Sequence, residues 1–133
     1  MIEVAAHRIG GLCGRAPCFG VDMILEELLV RHAMRIEISP LDREHAASGV
    51  IMSAIPRAGI LKHVGGIEAA KGVRGIDDVS VRSLGTRVAP PPDGDAYLGF
   101  IFAHGESPGF VESALREAHG LLALKITPLL PSL

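Results

Sequence analysis

Residues 97–126 read YLGFIFAHGESPGFVESALREAHGLLALKI, and this stretch decides the architecture of the chain. The run YLGFIFAHG is apolar on both of its alternating faces, which marks a strand buried on both sides. Ser107 then offers a hydroxyl to cap a helix, and Pro108 fills the first helical position, where a missing N–H costs nothing. Val111, Ala114, Leu115, Ala118 and Leu122 recur at helical spacing and form the stripe that this helix buries. LALKI follows as a further strand, and the chain ends in a proline-punctuated tail.

Working upstream, GVIMSAIPRAG (49–59) predicts a strand ended by Pro56, and ILKHV (60–64) a second strand. IEAAKGV (67–73) predicts a short helical turn. DDVSVRSL (77–84) alternates apolar and polar residues at period two and predicts a third strand. GTRVAPPPDGD (85–95) predicts a long turn, because three successive prolines exclude a central strand. The order strand, strand, helix, strand, strand, helix, strand is α+β, with a small antiparallel or mixed sheet and two or three helices.

Nearer the start, IEVAA (2–6) predicts a short buried strand and RIGGLCGRAPCFG (8–20) a glycine-containing loop. Asp22 is placed to cap a helix running to Met34, with Met23, Ile24, Leu28, Leu29, Val30 and Ala33 as its apolar stripe. ISPLDREHAAS, which follows, holds a proline, several charges and no periodicity. The expected organisation is therefore a first unit over residues 1–37, a linker over 38–47 and a second unit over 48–133.

Composition narrows the function classes. Thirteen Lys and Arg are scattered among fifteen acidic residues, for a formal net charge of −2, so no basic stripe is available for a nucleic-acid backbone. No segment approaches the ~18 consecutive apolar residues of a membrane span, and no basic-then-apolar leader opens the sequence. The expected location is cytoplasmic, where Cys13 and Cys18 stay as free thiols. Apolar residues make up 48% of the chain and sixteen of 133 residues are glycine, against 21% charged. Such a balance points to more apolar surface than a chain this small can hide, and so to a partner surface; the alternative is that the excess is alanine, glycine and valine, which needs no partner.

Few residues carry chemistry by spacing alone. Glu3 stands near the end of a short apolar strand and is followed by His7, Arg8 and the Gly10–Gly11 pair. A carboxylate there could hold Mg²⁺, cations could neutralise phosphate oxygens, and paired glycines would let backbone approach a ligand closely. An exposed terminal glutamate beside a turn explains the same residues. Cys13 and Cys18 do not have a usual zinc spacing. His45, His63, His104 and His119 share no motif, and His104 is expected to end its strand. No nucleophile elbow and no phosphate loop is present, so spacing alone yields no complete active site.

Two stretches nevertheless resemble a known family. IEVAAHRIGGLC, followed by FGVDMILEELLVRHAM, is similar to the end of an ATP-grasp catalytic domain in the branch of L-amino-acid ligases and other carboxylate–amine ligases. Residues 48–128 resemble the small C-terminal domain of those ligases, itself similar to the C-terminal domain of biotin carboxylase. Arg57-x-Gly59-x-Leu61, Gly66-Ile67-Glu68-x-Ala70, and the run from Gly94 through Tyr97-Leu98-Gly99-Phe100 to Ser107-Pro108 carry that likeness.

The resemblance implies that residues 1–37 are the last strand and helix of an ATP-grasp domain whose earlier part is absent. It assigns Glu3 to the Mg²⁺ that bridges ATP phosphates, and His7, Arg8, Gly10 and Gly11 to the nucleotide. Ala5 stands where the family has Asn, and His7 where it has Arg; Arg8, one residue along a strand, points to the other face. The implied reaction is ATP-dependent formation of an acyl phosphate, then attack by an amine. The nucleotide-clamping lysines, the glycine-rich flap and an earlier metal-binding acid would all precede Glu3. The chain alone is therefore expected to be inactive and to bind no Mg-ATP. Its expected partner is the rest of the ligase, or a second copy through exposed apolar surface. The alternative is a free-standing α+β module that binds a protein or metabolite.

Overall fold

The computed structural model describes residue 12 and residues 18–19, 23–38, 46–94 and 97–129. Among them are β1 (Cys18–Phe19), β2 (Met23–Ile24), α1 (Leu25–Ala33), β3 (Ala47–Ala54), β4 (Gly59–Gly65) and α2 (Ile67–Lys71). They continue with β5 (Ile76–Val81), β6 (Arg87–Val88), β7 (Tyr97–Gly105), α3 (Pro108–Leu121) and β8 (Ala123–Thr127). The strands form two three-stranded sheets, ordered β3-β7-β5 and β6-β4-β8, and a short β1-β2 pair. Every pairing is antiparallel. The architecture is the expected α+β one.

β7 lies between β3 and β5, and its sequence is apolar throughout because both of its faces carry buried side chains. Ile101 and Ala103 pack with Val79, Ala70, Val111, Leu115 and Ala118 in a cluster under α2 and α3. Phe100 and Phe102 stand on the opposite face, their rings stacked with centroids 6.4 Å apart. α3 starts as its sequence dictates: Phe110 N donates to Ser107 Oγ at 3.3 Å, and Pro108 occupies the first turn. Val111, Ala114, Leu115 and Ala118 are buried, and Leu122, just past the helix end, packs on the same cluster.

The second sheet closes a separate core. Ile55, Leu61, Val88, Leu98 and Ile126 pack together, with Leu61 and Leu98 fully buried. Leu98 belongs to β7, so this one strand ties the two cores into one body. The stretch 85–95 is not only a turn: Arg87 and Val88 pair with Ile60 and Gly59 as β6. Two residues are too few to show a period, so the strand was invisible beside the prolines.

One local expectation fails near the start. Cys18–Phe19 and Met23–Ile24 are extended and paired, so α1 begins at Leu25, with Ile24 in the N-cap position and no side-chain cap; Asp22 lies outside the described residues. α1 leaves its apolar stripe uncovered. None of its residues is buried, and Leu29, Val30 and, just beyond it, Met34 are more than half exposed. The helix is held internally by Arg31, whose Nε and Nη2 both donate to Glu27 Oε1.

Candidate functional site

Glu3, His7, Arg8, Gly10 and Gly11 lie outside the described residues, as do the strand expected over 2–6 and Cys13. The nearest described residue is Leu12, directly after the glycine pair. Its φ of +58° lies in the left-handed region that non-glycine residues seldom adopt. Leu12 lines a groove of about 360 Å³ with Ser80, Val81 and Arg82 of the β5 end and Tyr97–Phe100 of β7.

The groove is built by the sheet. Ser80 pairs with Phe100 and Val81 with Gly99. Gly99 permits this approach, because a Cβ there would lie 2.3 Å from the Ser80 carbonyl oxygen. Arg82 N donates to Leu98 O at 3.0 Å and its Nε donates to Tyr97 O at 2.9 Å, which fixes the guanidinium on the groove wall. The Tyr97 and Phe100 rings meet at 5.8 Å. A guanidinium, a hydroxyl and two rings suit a polar loop or an anionic group lying on an aromatic floor. Among the described residues no carboxylate lines the groove, so those residues cannot hold a divalent cation themselves.

A second cluster lies at the other end of β7. His104 Nδ1–H donates to Asp77 Oδ1 across to β5, where the register shifts between Ile76 and Asp78. That bulge turns Asp77 toward His104. Sequence reasoning placed His104 at a strand end and missed this carboxylate, whose only signal was the doubled aspartate of DDVSV. A cavity of about 430 Å³ beside the pair is lined by Arg74, Glu106 and Phe110 among others. Arg74 lies 3.6 Å from Glu106 and 5.6 Å above the Phe110 ring.

Ser48 sits opposite His104 in the β3–β7 register. Among the described residues the hydrogen bond of the His104 ring goes to Asp77 and none joins it to Ser48, so no nucleophile relay is assembled. His104 and Asp77 are also largely solvated, at 61% and 42% exposure, which leaves no dry pocket for such chemistry. Among the described residues no group of three or more His, Cys, Asp or Glu side chains could hold a metal ion. No helix among them is long and apolar enough to cross a membrane.

These features define a small α+β module with a polar-aromatic groove and with no catalytic constellation among its described residues. Residues 51–127 match the sequence model of the family described as L-amino acid ligase C-terminal domain 2, and the chain belongs to that family. The fold is similar to the crystal structure of L-amino acid ligase from Bacillus licheniformis, with a TM-score of 0.67 at 20% identity. The likeness covers 90% of this chain and 31% of that enzyme, so the chain spans about a third of its length. No curated protein sequence matches the chain.

Proposed function

We infer that this chain is the C-terminal part of an ATP-dependent carboxylate–amine ligase and serves there as a packing and closing module, not as a self-sufficient enzyme. The family match over residues 51–127 carries this reading. The Leu12 groove supports it: the residue that follows Gly10 and Gly11 rests against β5 and β7, where the module can brace a phosphate-facing loop. In this reading Glu3 holds Mg²⁺, and His7, Arg8 and the glycine pair face the nucleotide. Mg-ATP would supply the phosphoryl group that activates a carboxylate for amine attack.

Phosphoryl transfer depends on several cations and donors placed around one phosphate chain. In this reading most of that array belongs to the part of the ligase that precedes Glu3, and the chain by itself is inactive. The remaining ligase would cover the apolar side of α1. Titration calorimetry tests the reading. Mg-ATP added to the 133-residue chain should give no saturable heat, whereas micromolar binding would show a nucleotide site complete within it.

A further inference from the structure

We propose that this chain forms a two-fold dimer through the free edge of β3, with the two copies of α3 packed side by side. The inference rests on the sheet edges and not on the ligase reading. Monomeric proteins blunt sheet edges with charges, prolines or bulges, because an open edge templates pairing with another chain. The other edges of this fold follow that rule. β5 carries Asp77 and Asp78 and a register shift, β6 carries Arg87, and β8 carries Lys125. β3 is blunted only at its end, by a register shift between Ser53 and Ala54; its eight residues, ASGVIMSA, include no charge and no proline, and its pairing is regular from Ala47 to Ser53. Among the described residues β3 pairs with β7 alone.

Beside this edge lies a cavity of about 470 Å³ between β3 and α3. Val111 and Leu115 form its floor, and Pro108, Glu112 and Arg116, spaced four apart, line it from one flank of the helix. α3 straddles β3 and β7. It touches Gly49 of β3, where an added Cβ would lie 3.0 Å from Val111 Cγ1, and it packs on Ile101 and Ala103 of β7. The helix axis therefore lies about half a strand spacing inside β3. Pairing β3 antiparallel with a second β3 at the usual ~4.8 Å spacing would then set the two α3 axes roughly 10 Å apart. That is a normal helix-packing distance.

Charge selects a second copy as the occupant. Glu112 and Arg116 lie on the flank facing the dyad, and Arg116 Nε and Nη2 already donate to Glu112 Oε1 at 2.9 and 2.8 Å. Antiparallel helices related by a two-fold near residue 114 bring Glu112 of one copy to Arg116 of the other, twice over. On the strands, a dyad at Val50 sets Gly49 against Ile51 of the second copy. The edge and the helix flank are thus self-complementary under a single two-fold, as an isologous contact requires.

Sedimentation and light scattering of the 133-residue chain test this, using two exposed and fold-neutral substitutions. The unaltered chain should be dimeric at high micromolar concentration. Glu112→Arg and Arg116→Glu should each weaken the dimer about a hundredfold through like-charge opposition, with circular dichroism unchanged. An equimolar mixture of the two variants should restore a dimer, because each supplies the charges the other lacks. A monomeric unaltered chain would overturn the proposal. So would dimers indifferent to both substitutions, or a mixture that stays monomeric.

Discussion

Arg57 Nη2 donates to the carbonyl oxygen of Ile126 at 2.7 Å, joining positions 69 apart in sequence. The bond ties the β3–β4 connection to β8. Beside it, Gly59 lets β4 run against the same strand, since a Cβ there would lie 2.3 Å from the Thr127 carbonyl oxygen. The Arg-x-Gly-x-Leu stretch thus has a structural task. Arg57 clamps the last strand, Gly59 admits it, and Leu61 fills the core behind it.

Replacing Arg57 by Ala should cost about 1–2 kcal/mol, the worth of a charge-assisted hydrogen bond to a carbonyl that otherwise loses its partner. Lys at this position should recover only part of that, because its single ammonium lacks the reach and planarity of the guanidinium. Urea denaturation of the three proteins checks the order Arg, Lys, Ala.

Gly75 is a position where a single methyl group meets both strain and a neighbour. Its φ is +90°, and a Cβ would lie 2.6 Å from Phe110 Cε1 and 2.9 Å from the His104 carbonyl oxygen. Gly75→Ala combines backbone strain with a clash and should destabilise by about 2 kcal/mol or more. Gly85 has a similar φ of +85° but open space around it, so Gly85→Ala isolates the strain alone. Thermal melts of the pair should rank Gly75→Ala well below Gly85→Ala.

Leucines at the two ends of the burial scale should behave oppositely. Leu61 is fully buried, and Leu61→Ala should cost about 2–5 kcal/mol as a cavity substitution. Leu29 is 51% exposed on α1, and Leu29→Ser should change the stability of this chain by less than about 0.5 kcal/mol. Chemical denaturation reads both. A large loss from Leu29→Ser would show that α1 is buried in solution.

Amide exchange should divide the chain in the same way. β7 is paired on both sides and its amides should exchange slowest. α1 has nine residues and buries none, too short a helix to persist on propensity alone, so its amides should exchange within the fastest class. Equal protection of α1 and β7 would favour a self-sufficient module over a ligase part.

What the sequence disclosed follows from how each signal arises. The β7 run, the Ser107–Pro108 start and the α3 stripe were legible because burial and capping leave their marks within a few neighbouring residues. The short pairs β1, β2 and β6 were not, since two residues have no period, and Met23–Ile24 passed for helix because they continue an apolar stripe. The stripe marks an apolar face on α1, and amphipathicity only says that such a face wants cover, not that this chain provides it. The groove of Ser80, Arg82, Tyr97 and Phe100 and the His104–Asp77 pair depend on cross-strand register and on a bulge, which local pattern does not encode.

The most direct test of the central claim is the mass of the native polypeptide. An antibody raised against residues 46–129 would be used on a denatured lysate of the source cells. The chain covers 31% of the Bacillus licheniformis ligase it resembles. The account predicts one reactive species about three times as long as 133 residues, carrying an ATP-grasp domain ahead of Glu3. A species of 133 residues alone, with no longer form, would contradict it.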